Sequence, residues 1–186
     1  MRRNFSRCTF IAKTATLGVL LWLLSPILHA QSVDIQPADD CMACTGQLSY
    51  THPTAVTILW YDATGTLVQG DVSTASTVTG LCPGLYMLEV TDGTTADQQW
   101  LSVNTTSASA GLSTEAFQCA GGDPIDLTSL LVSADAGGYW TDLSNVTLPA
   151  TELSAAPSSN GAYLYHVNAS DCEVVARIDL VVNLKR

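Results

Sequence analysis

Hydrophobic and polar residues alternate along residues 172–182, near the end of the chain. The even positions carry apolar side chains, whereas all the charges of this segment (Glu173, Arg177 and Asp179) fall on odd positions. A period of two places successive side chains on opposite faces of a β-strand. The segment is therefore predicted to be a half-buried strand, with Cys172 on the side that faces the core.

A turn followed by a strand is the clearest pattern in the first half of the chain. Pro83 and Gly84 form a strong turn pair, because proline presets φ and glycine accepts a positive φ. Residues 85–91 are rich in β-formers, and Asp92-Gly93 supplies a hairpin signal directly after them. Cys82 lies just ahead of the turn, where it can tie this strand to another part of a sheet.

This pattern returns at residues 161–167, which indicates an internal repeat. Each copy has an upstream β-rich strand that contains a tryptophan. Tyr86 follows Trp60 by 26 residues, and Tyr163 follows Trp140 by 23 residues. The similar offsets predict two small β modules of related plan.

The whole pattern predicts an all-β chain of sandwich type. Short β-rich runs are separated by Gly, Pro, Asp and Asn, and no segment has the sustained i, i+3, i+4 apolar stripe of a helix. Residues 125–131 are ambiguous, because they suit either a strand or one short helical turn. The strands predicted in the first module are residues 47–51, 56–61, 66–69, 75–79, 85–91 and 98–103.

The predicted modules span residues 41–104 and 112–183. Residues 105–111 are small and polar, which is typical of a linker. Residues 31–40 are polar and acidic, and we expect them to form a short extended leader.

The first 30 residues have the pattern of a secretory signal peptide. Four basic residues precede an apolar run at residues 17–24, and Ala30 provides a small residue at a cleavage position before Gln31. The apolar run is shorter than the roughly 20 residues that a membrane-spanning helix needs. An uncleaved anchor is the alternative, because Leu28 is bulkier than the usual residue three before the cut. Cleavage predicts a secreted chain, extracellular or on the cell surface, with no membrane insertion.

Charge narrows the range of partners. The chain has 7 basic and 17 acidic residues, and four of the basic ones lie in the predicted signal. The remainder keeps 3 basic residues against 17 acidic ones, a formal charge of −14. Nucleic-acid binding requires a basic surface, so we predict no nucleic-acid partner. An anionic membrane surface is excluded on the same ground.

Removal of the signal leaves five cysteines, and a secreted chain makes disulfides the expected state. Cys119 and Cys172 bracket the second module and are predicted to pair. Cys82 requires either Cys41 or Cys44, which leaves one cysteine as a free or intermolecular thiol. The Cys-x-x-Cys spacing also occurs in redox and zinc sites, but neither a βαβ setting nor a second ligand pair is present.

The sequence contains no recognisable catalytic or metal-binding motif. We find no Gly-x-Ser-x-Gly elbow, no His-Glu-x-x-His and no phosphate-binding loop. His166 alternates outward from its neighbours and is predicted to face solvent. The acidic residues concentrate in turns, which favours turn chemistry over calcium sites. We therefore predict no enzyme activity, no metal and no cofactor.

Three tryptophans are candidates for sugar stacking. Trp60 and Trp140 lie on predicted central strands, where a sandwich normally buries a tryptophan against a disulfide. Trp100 lies on a late strand beside two glutamines. It is predicted to be the most exposed aromatic residue and is the candidate ligand-binding residue.

The first module resembles the SprB-type repeats of large surface adhesins of gliding and other Bacteroidota. The shared features are Cys44-Thr-Gly46, the strand at Leu59-Trp60, and the Gly80-Leu-Cys82 to Val90-Thr-Asp92 ending. The resemblance implies a Cys44–Cys82 bridge. Another cysteine often follows Thr-Asp in that family and is missing here, which leaves Cys41 as the odd cysteine.

The second module resembles the immunoglobulin-like units of the same class of proteins. The shared features are Cys119-Ala-Gly121, the strand at Gly137-Gly138-Tyr-Trp-Thr141, and Gly161-x-Tyr-x-Tyr165 followed by Cys172. The resemblance implies two tandem immunoglobulin-like β-sandwiches in a non-catalytic, adhesin-like binding or structural protein. Its expected partner is a surface glycan or protein. A carbohydrate-binding or hydrolytic accessory protein and a strand-exchanging subunit of a larger surface assembly remain alternatives.

Overall fold

The computed structural model describes residues 31–184, and these residues form an all-β structure. The first module contains five strands: β1 (Ser32–Gln36), β2 (Gly46–Asp62), β3 (Leu67–Leu81), β4 (Gly84–Thr91) and β5 (Ala96–Val103). The predicted signal peptide, including Ala30 at its cleavage site, lies outside the described residues. The described residues include no helix long and apolar enough to cross a membrane.

One bent hairpin builds both layers of the first module. The antiparallel pairing of β2 with β3 shifts register between Thr51 and Val56. Before this bend, β2 pairs with β1 and with the end of β3; after it, β2 pairs with the start of β3 and with β4, and β5 completes that layer. Each of the two long strands was predicted as two shorter ones, and the bend lies where those predictions place the break.

The two layers of this sheet enclose one apolar core. Leu48 and Val78 come from the first layer, and Ile58, Trp60 and Leu88 come from the second. Trp60 is completely buried, and its indole Nε1 donates a 3.0 Å hydrogen bond to Ser76 Oγ on the opposite layer. The predicted core position of Trp60 is confirmed.

The second module is a smaller sandwich. Its strands are β6 (Thr114–Cys119), β7 (Ile125–Asp126), β8 (Tyr139–Asp142), β9 (Glu152–Leu153), β10 (Gly161–Ala169) and β11 (Cys172–Asn183). A four-stranded sheet has the order β6-β11-β10-β8, with β6 parallel to β11, and β7 pairs with β9. Residues 125–131 combine both predicted alternatives, because β7 leads into a short 3₁₀ turn at Leu127–Leu130.

The predicted alternation of buried and outward-facing side chains along residues 172–182 is confirmed in β11. Val174, Ala176, Ile178, Leu180 and Val182 are each at most 3% exposed. Val174, Ala176 and Ile178 belong to the same core cluster as Trp140, which is 3% exposed. Leu180 and Val182 belong to an adjoining cluster with Ile125 and Ala155. The strand is thus the central wall of the second core.

The predicted repeat appears as the same strand register in both modules. Asp62 of β2 pairs with Tyr86 of β4, and Asp142 of β8 pairs with Tyr163 of β10. Each tyrosine donates a 2.9 Å hydrogen bond to the carbonyl oxygen four residues upstream. This is the tyrosine corner of immunoglobulin-like sandwiches.

The turns that follow the tryptophan strands also match. Asp62 Oδ1 accepts hydrogen bonds from the backbone N–H groups of Thr64 and Thr66. Asp142 Oδ1 accepts from the corresponding N–H groups two and four residues ahead. These contacts are the turn chemistry that is predicted for the acidic residues. At Asp62, a hydrogen bond from the Thr64 hydroxyl lowers the pKa of the carboxyl most, and those from the backbone amides lower it further.

The junction between the modules is folded rather than open. Residues 31–40, predicted as a leader, supply β1 and the completely buried Ala38. Ala38 forms a parallel bridge with Thr105, and Asn104 Oδ1 accepts a hydrogen bond from Ala110 N. Residues 105–111, predicted as a linker, place Ala108 and Ala110 in the second core, because their small side chains fit where the two modules meet.

The two described disulfides differ in what they connect. Cys44 is bonded to Cys82, the pair that the SprB resemblance implies, and this bond lies within the first module. Cys41 is bonded to Cys172 at the start of β11 and thereby joins the two modules. The bond spans 131 residues of sequence.

The Cys41–Cys172 bond corrects two sequence predictions. The predicted Cys119–Cys172 bridge is wrong, and so is the prediction that Cys41 is a free or intermolecular thiol. Cys119 pairs in register with Asn183, at the opposite end of β11 from Cys172. At about 3.3 Å per residue, eleven residues of strand separate the two cysteines far beyond the span of a disulfide.

The two core tryptophans offer a matched stability test. Trp60 Nε1 is hydrogen-bonded to Ser76, whereas the buried Trp140 Nε1 has no hydrogen-bond partner among the described residues. Trp60→Phe is expected to cost about 1 kcal/mol more than Trp140→Phe, because only the first change removes a buried hydrogen bond. Urea unfolding of both variants checks this, and equal losses would contradict it.

Candidate functional site

The candidate site is a groove between the two modules, and Trp100 is the last residue of β5 that lines it. Trp100 is on β5, and the guanidinium carbon of Arg177 on β11 lies 4.5 Å from the centre of its ring. A cation over an indole face is attracted by the ring quadrupole. Arg177 is also fixed by Asp179, with Nη2–Oδ1 at 2.7 Å and Nε–Oδ2 at 3.0 Å. The second module thus holds a cation against the aromatic residue of the first.

Two serines connect the modules next to Trp100. Ser102 Oγ lies 2.6 Å from Ser113 Oγ, and Ser113 Oγ accepts a 3.0 Å hydrogen bond from the backbone N–H of Arg177. Ser102 is completely buried. These bonds fix the end of β5 against the residues that lead into β6.

The groove is lined by residues of two strand edges. Its walls are residues 97–100 of β5, residues 113–115 at the start of β6, and Asp179 of β11. Its volume is about 260 Å³. Both β5 and β6 are outermost strands of their sheets. The groove therefore lies between two strand edges rather than on one sheet face.

The open part of the groove is acidic. Asp97 and Glu115 are exposed, and Asp179 forms the third carboxylate of the wall. Arg177 is the only Lys or Arg between residues 31 and 184, and Asp179 already neutralises it. Gln98 adds an amide that donates a 2.6 Å hydrogen bond to Glu89 Oε2. The site offers carboxylates, amides and one partly covered indole to a ligand.

Trp100 is less exposed than the sequence predicts. It is half-buried, because Arg177 covers part of its ring. Phe117 on β6 and Tyr139 on β8 are more exposed, at 65% and 39%. The prediction that Trp100 is the most exposed aromatic residue is wrong. The alternation of Phe117 with the inward Ala116 is the one sequence signal for the exposure of Phe117. This signal is weak, because the strand has only six residues.

A second polar cluster lies on the outer face of the other end of the same sheet. His166 Nε2 lies 2.9 Å from Thr141 Oγ1, and His166 Nδ1 lies 2.8 Å from Glu173 Oε2. The Tyr139 hydroxyl donates a 2.6 Å hydrogen bond to Glu173 Oε1, and its ring stacks on the imidazole at 4.8 Å. His166 is only 7% exposed, so the prediction that it faces solvent is wrong. Outward-facing neighbours on β8 and β11 bury it.

The hydroxyl, imidazole and carboxylate of this cluster are connected in the order of a hydrolase triad. The Thr141 side of that chain is closed, because Thr141 is 3% exposed and cannot be reached by a substrate in this conformation. A nucleophile must be accessible to the group that it attacks. We therefore interpret the cluster as a structural network that fixes β8, β10 and β11 to one another.

Glu173 is the charged member of this network. Burial raises the pKa of its carboxyl, whereas the hydrogen bonds from Tyr139 and His166 lower it and prevail. The ionised form is thus the one that the network stabilises. The Tyr139 hydroxyl shows the reciprocal effect, because its hydrogen bond to Glu173 raises its pKa.

Metal binding finds no support among residues 31–184. No group of three or more His, Cys, Asp or Glu side chains in this part of the chain is arranged to hold a metal ion. The carboxylate of Asp92, a turn residue, instead accepts hydrogen bonds from the Thr94 hydroxyl and the Thr94 and Thr95 amides, which lower its pKa.

The chain matches no family model, and no curated protein matches it. Among solved structures it is similar to the titin A168–A169 fragment, with 11% identity, 83% of this chain and 98% of that chain covered, and a TM-score of 0.31. It is also similar to the titin domains z1z2 in complex with telethonin, with 11% identity, 86% and 100% covered, and a TM-score of 0.28. The immunoglobulin domains 1–5 of Sidekick-1 give 14% identity, 84% and 40% covered, and a TM-score of 0.26.

Similarities of this size carry no argument about function. The all-β, immunoglobulin-like architecture rests on the strand order, the two sandwich cores and the paired tyrosine corners of the chain itself.

Proposed function

We propose that this chain is a secreted, adhesin-like binding protein of the cell surface, with no catalytic role. Its immunoglobulin-like fold suits a binding or structural role. The observation that carries the proposal is the groove between the modules, where both sandwiches contribute side chains to one concave surface. The expected partner is a surface glycan or a protein.

Two further observations support an extracellular binding role. Structural disulfides persist in oxidising compartments, and the described chain has one bond within a module and one between modules. The second bond and the buried junction at residues 105–111 hold the modules together. A fixed junction keeps the two walls of the groove in place before a ligand arrives, which lowers the entropy that binding must overcome.

Trp100→Ala is expected to weaken attachment of the protein to its target surface about tenfold. The change removes the aromatic wall of the groove and frees Arg177 from its stacked position. The measurement is retention of the fluorescently labelled chain on panels of immobilised glycans, extracellular proteins and whole cells.

Val72→Ala is the matched control, because Val72 is 77% exposed on β3, the opposite edge of the same layer. It is expected to bind like the unmodified chain. Equal binding by all three proteins on every surface that retains them would reject the groove as the contact site. Circular dichroism of each variant separates a binding defect from a folding defect.

A further inference from the structure

The exposure of β5 changes halfway along the strand. Residues 96–99 are exposed, whereas Trp100 is half-buried and residues 101–103 are buried. The buried half lies against the second module, where Ser102 contacts Ser113 and Trp100 contacts Arg177. The exposed half has no neighbouring strand on its outer side. It is thus a short free edge that leads directly into the groove.

The lining of the groove shows that its axis follows this edge. Four consecutive residues of β5, 97–100, contribute to the wall, although successive side chains of a strand point to opposite faces. A depression on one sheet face would be lined by alternate residues only. Consecutive lining is expected where the space runs along the backbone edge itself. Three consecutive residues, 113–115, line the opposite wall in the same manner.

An unpaired strand edge offers N–H and C=O groups to an added strand, which is a common mode of peptide recognition. Four residues of edge correspond to about 13 Å of extended peptide. The added strand would lie between β5 and the wall formed by Glu115 and Asp179. Charged side chains often protect free edges in monomeric proteins, and here Asp97 is the charge on this edge.

The charges of the groove specify the chemistry of the strand. Asp97, Glu115 and Asp179 border the open space, and the one cation nearby is already paired. An acidic strand would meet like charges, whereas a strand with Lys or Arg side chains would find opposite charges on both walls. A second copy of this acidic chain is disfavoured by the same argument.

We infer that the free half of β5 binds an extended basic peptide segment, which adds as a strand to the sheet and directs Lys or Arg side chains to Asp97 and Glu115. This inference rests on the proposed function and names the partner of the same groove: a protein segment rather than a glycan. It makes the chain a strand-accepting subunit of a larger surface assembly. Trp100 and Arg177 form the fixed end against which the peptide stops.

The test uses the full chain and an eight-residue peptide of alternating Lys and Val as the probe. Fluorescence anisotropy is expected to show binding that is at least tenfold tighter than for the matching Glu and Val peptide. The double change Asp97→Asn with Glu115→Gln is expected to weaken binding roughly fivefold, as the loss of two exposed charge pairs predicts. Asp34→Asn with Glu152→Gln is the matched control; it removes the same charge elsewhere and is expected to leave binding unchanged.

Backbone pairing has its own readout. Two probes that are N-methylated at either the odd or the even positions present opposite blocked edges, so one of them is expected to lose binding and the other to retain it. Hydrogen exchange at residues 96–99 is expected to slow when the unmodified probe binds. Equal binding of both methylated probes, or equal effects of the two double variants, would overturn the inference.

Failure of the inference and failure of the proposed function are distinguishable. If the basic peptide does not bind at millimolar concentration, or if a neutral oligosaccharide occupies the groove instead, the strand-accepting role is rejected. The loss of surface attachment by Trp100→Ala would still support the groove as a binding site in that case. Retained attachment by Trp100→Ala rejects the site itself.

Discussion

Replacing both Cys41 and Cys172 by serine is expected to lower the free energy of unfolding by about 5 kcal/mol. The bond joins residues 131 positions apart, and the chain-entropy relation gives a value of this size for so long a loop. The change also releases the start of β11 from the segment that precedes β2. The measurement is urea unfolding under oxidising conditions, followed by far-UV circular dichroism and tryptophan fluorescence.

The number of unfolding transitions in this variant also tests whether the disulfide couples the two modules. The junction disulfide couples the two sandwiches, so its loss is expected to split one unfolding transition into two. Cys44→Ser with Cys82→Ser is the matched control, since that bond lies within the first module and spans 38 residues. It is expected to cost about 4 kcal/mol and to lower the stability of the first module. A single transition with a loss below about 1 kcal/mol in the Cys41 and Cys172 variant would contradict the coupling.

The disulfides also show which features of this fold could be predicted from the sequence and which could not. The alternation in β11 predicted a half-buried strand, and the repeated Trp and Tyr offsets predicted two β modules of related plan, because both patterns are local properties of a strand and its turn. The partner of Cys172 is not local. It depends on which end of β11 lies near the junction, and Cys119 lies at the wrong end. Composition could not show that residues 31–40 and 105–111 pack at this junction.

The candidate site was predictable only in part, for the same reason. Trp100 was identified from its strand position, but its partner Arg177 lies in the other module and reaches it only through the docked arrangement. His166 was correctly placed on the outer face by alternation. Its burial comes from Tyr139 and Glu173 on neighbouring strands, and alternation along one strand carries no information about them. Contacts between elements distant in sequence therefore account for each error.

Gly138→Ala is expected to destabilise the second module by about 3 kcal/mol. A Cβ atom at this position would overlap the carbonyl oxygen of His166 and would lie 2.6 Å from Cζ of Tyr165. The carbonyl belongs to a central strand and cannot move without disturbing the pairing of β10 with β8. Overpacking against a fixed backbone costs about 1–3 kcal/mol, and this contact is at the upper end of that range because both obstacles are held in the sheet.

The adjacent glycine separates steric overlap from backbone strain. Gly137 has a φ of +90°, and a Cβ atom there would meet nothing within 4 Å. Gly137→Ala is therefore expected to cost about 1 kcal/mol through strain alone.

Gly138 N also donates a hydrogen bond to the Tyr165 hydroxyl, which in turn donates to the Asp135 carbonyl, so displacement of this strand would disturb both bonds. Thermal unfolding of the two variants side by side measures the difference. Equal destabilisation would mean that the backbone near His166 yields to the added methyl group, and the close packing of β8 on β10 would then not limit the stability of the module.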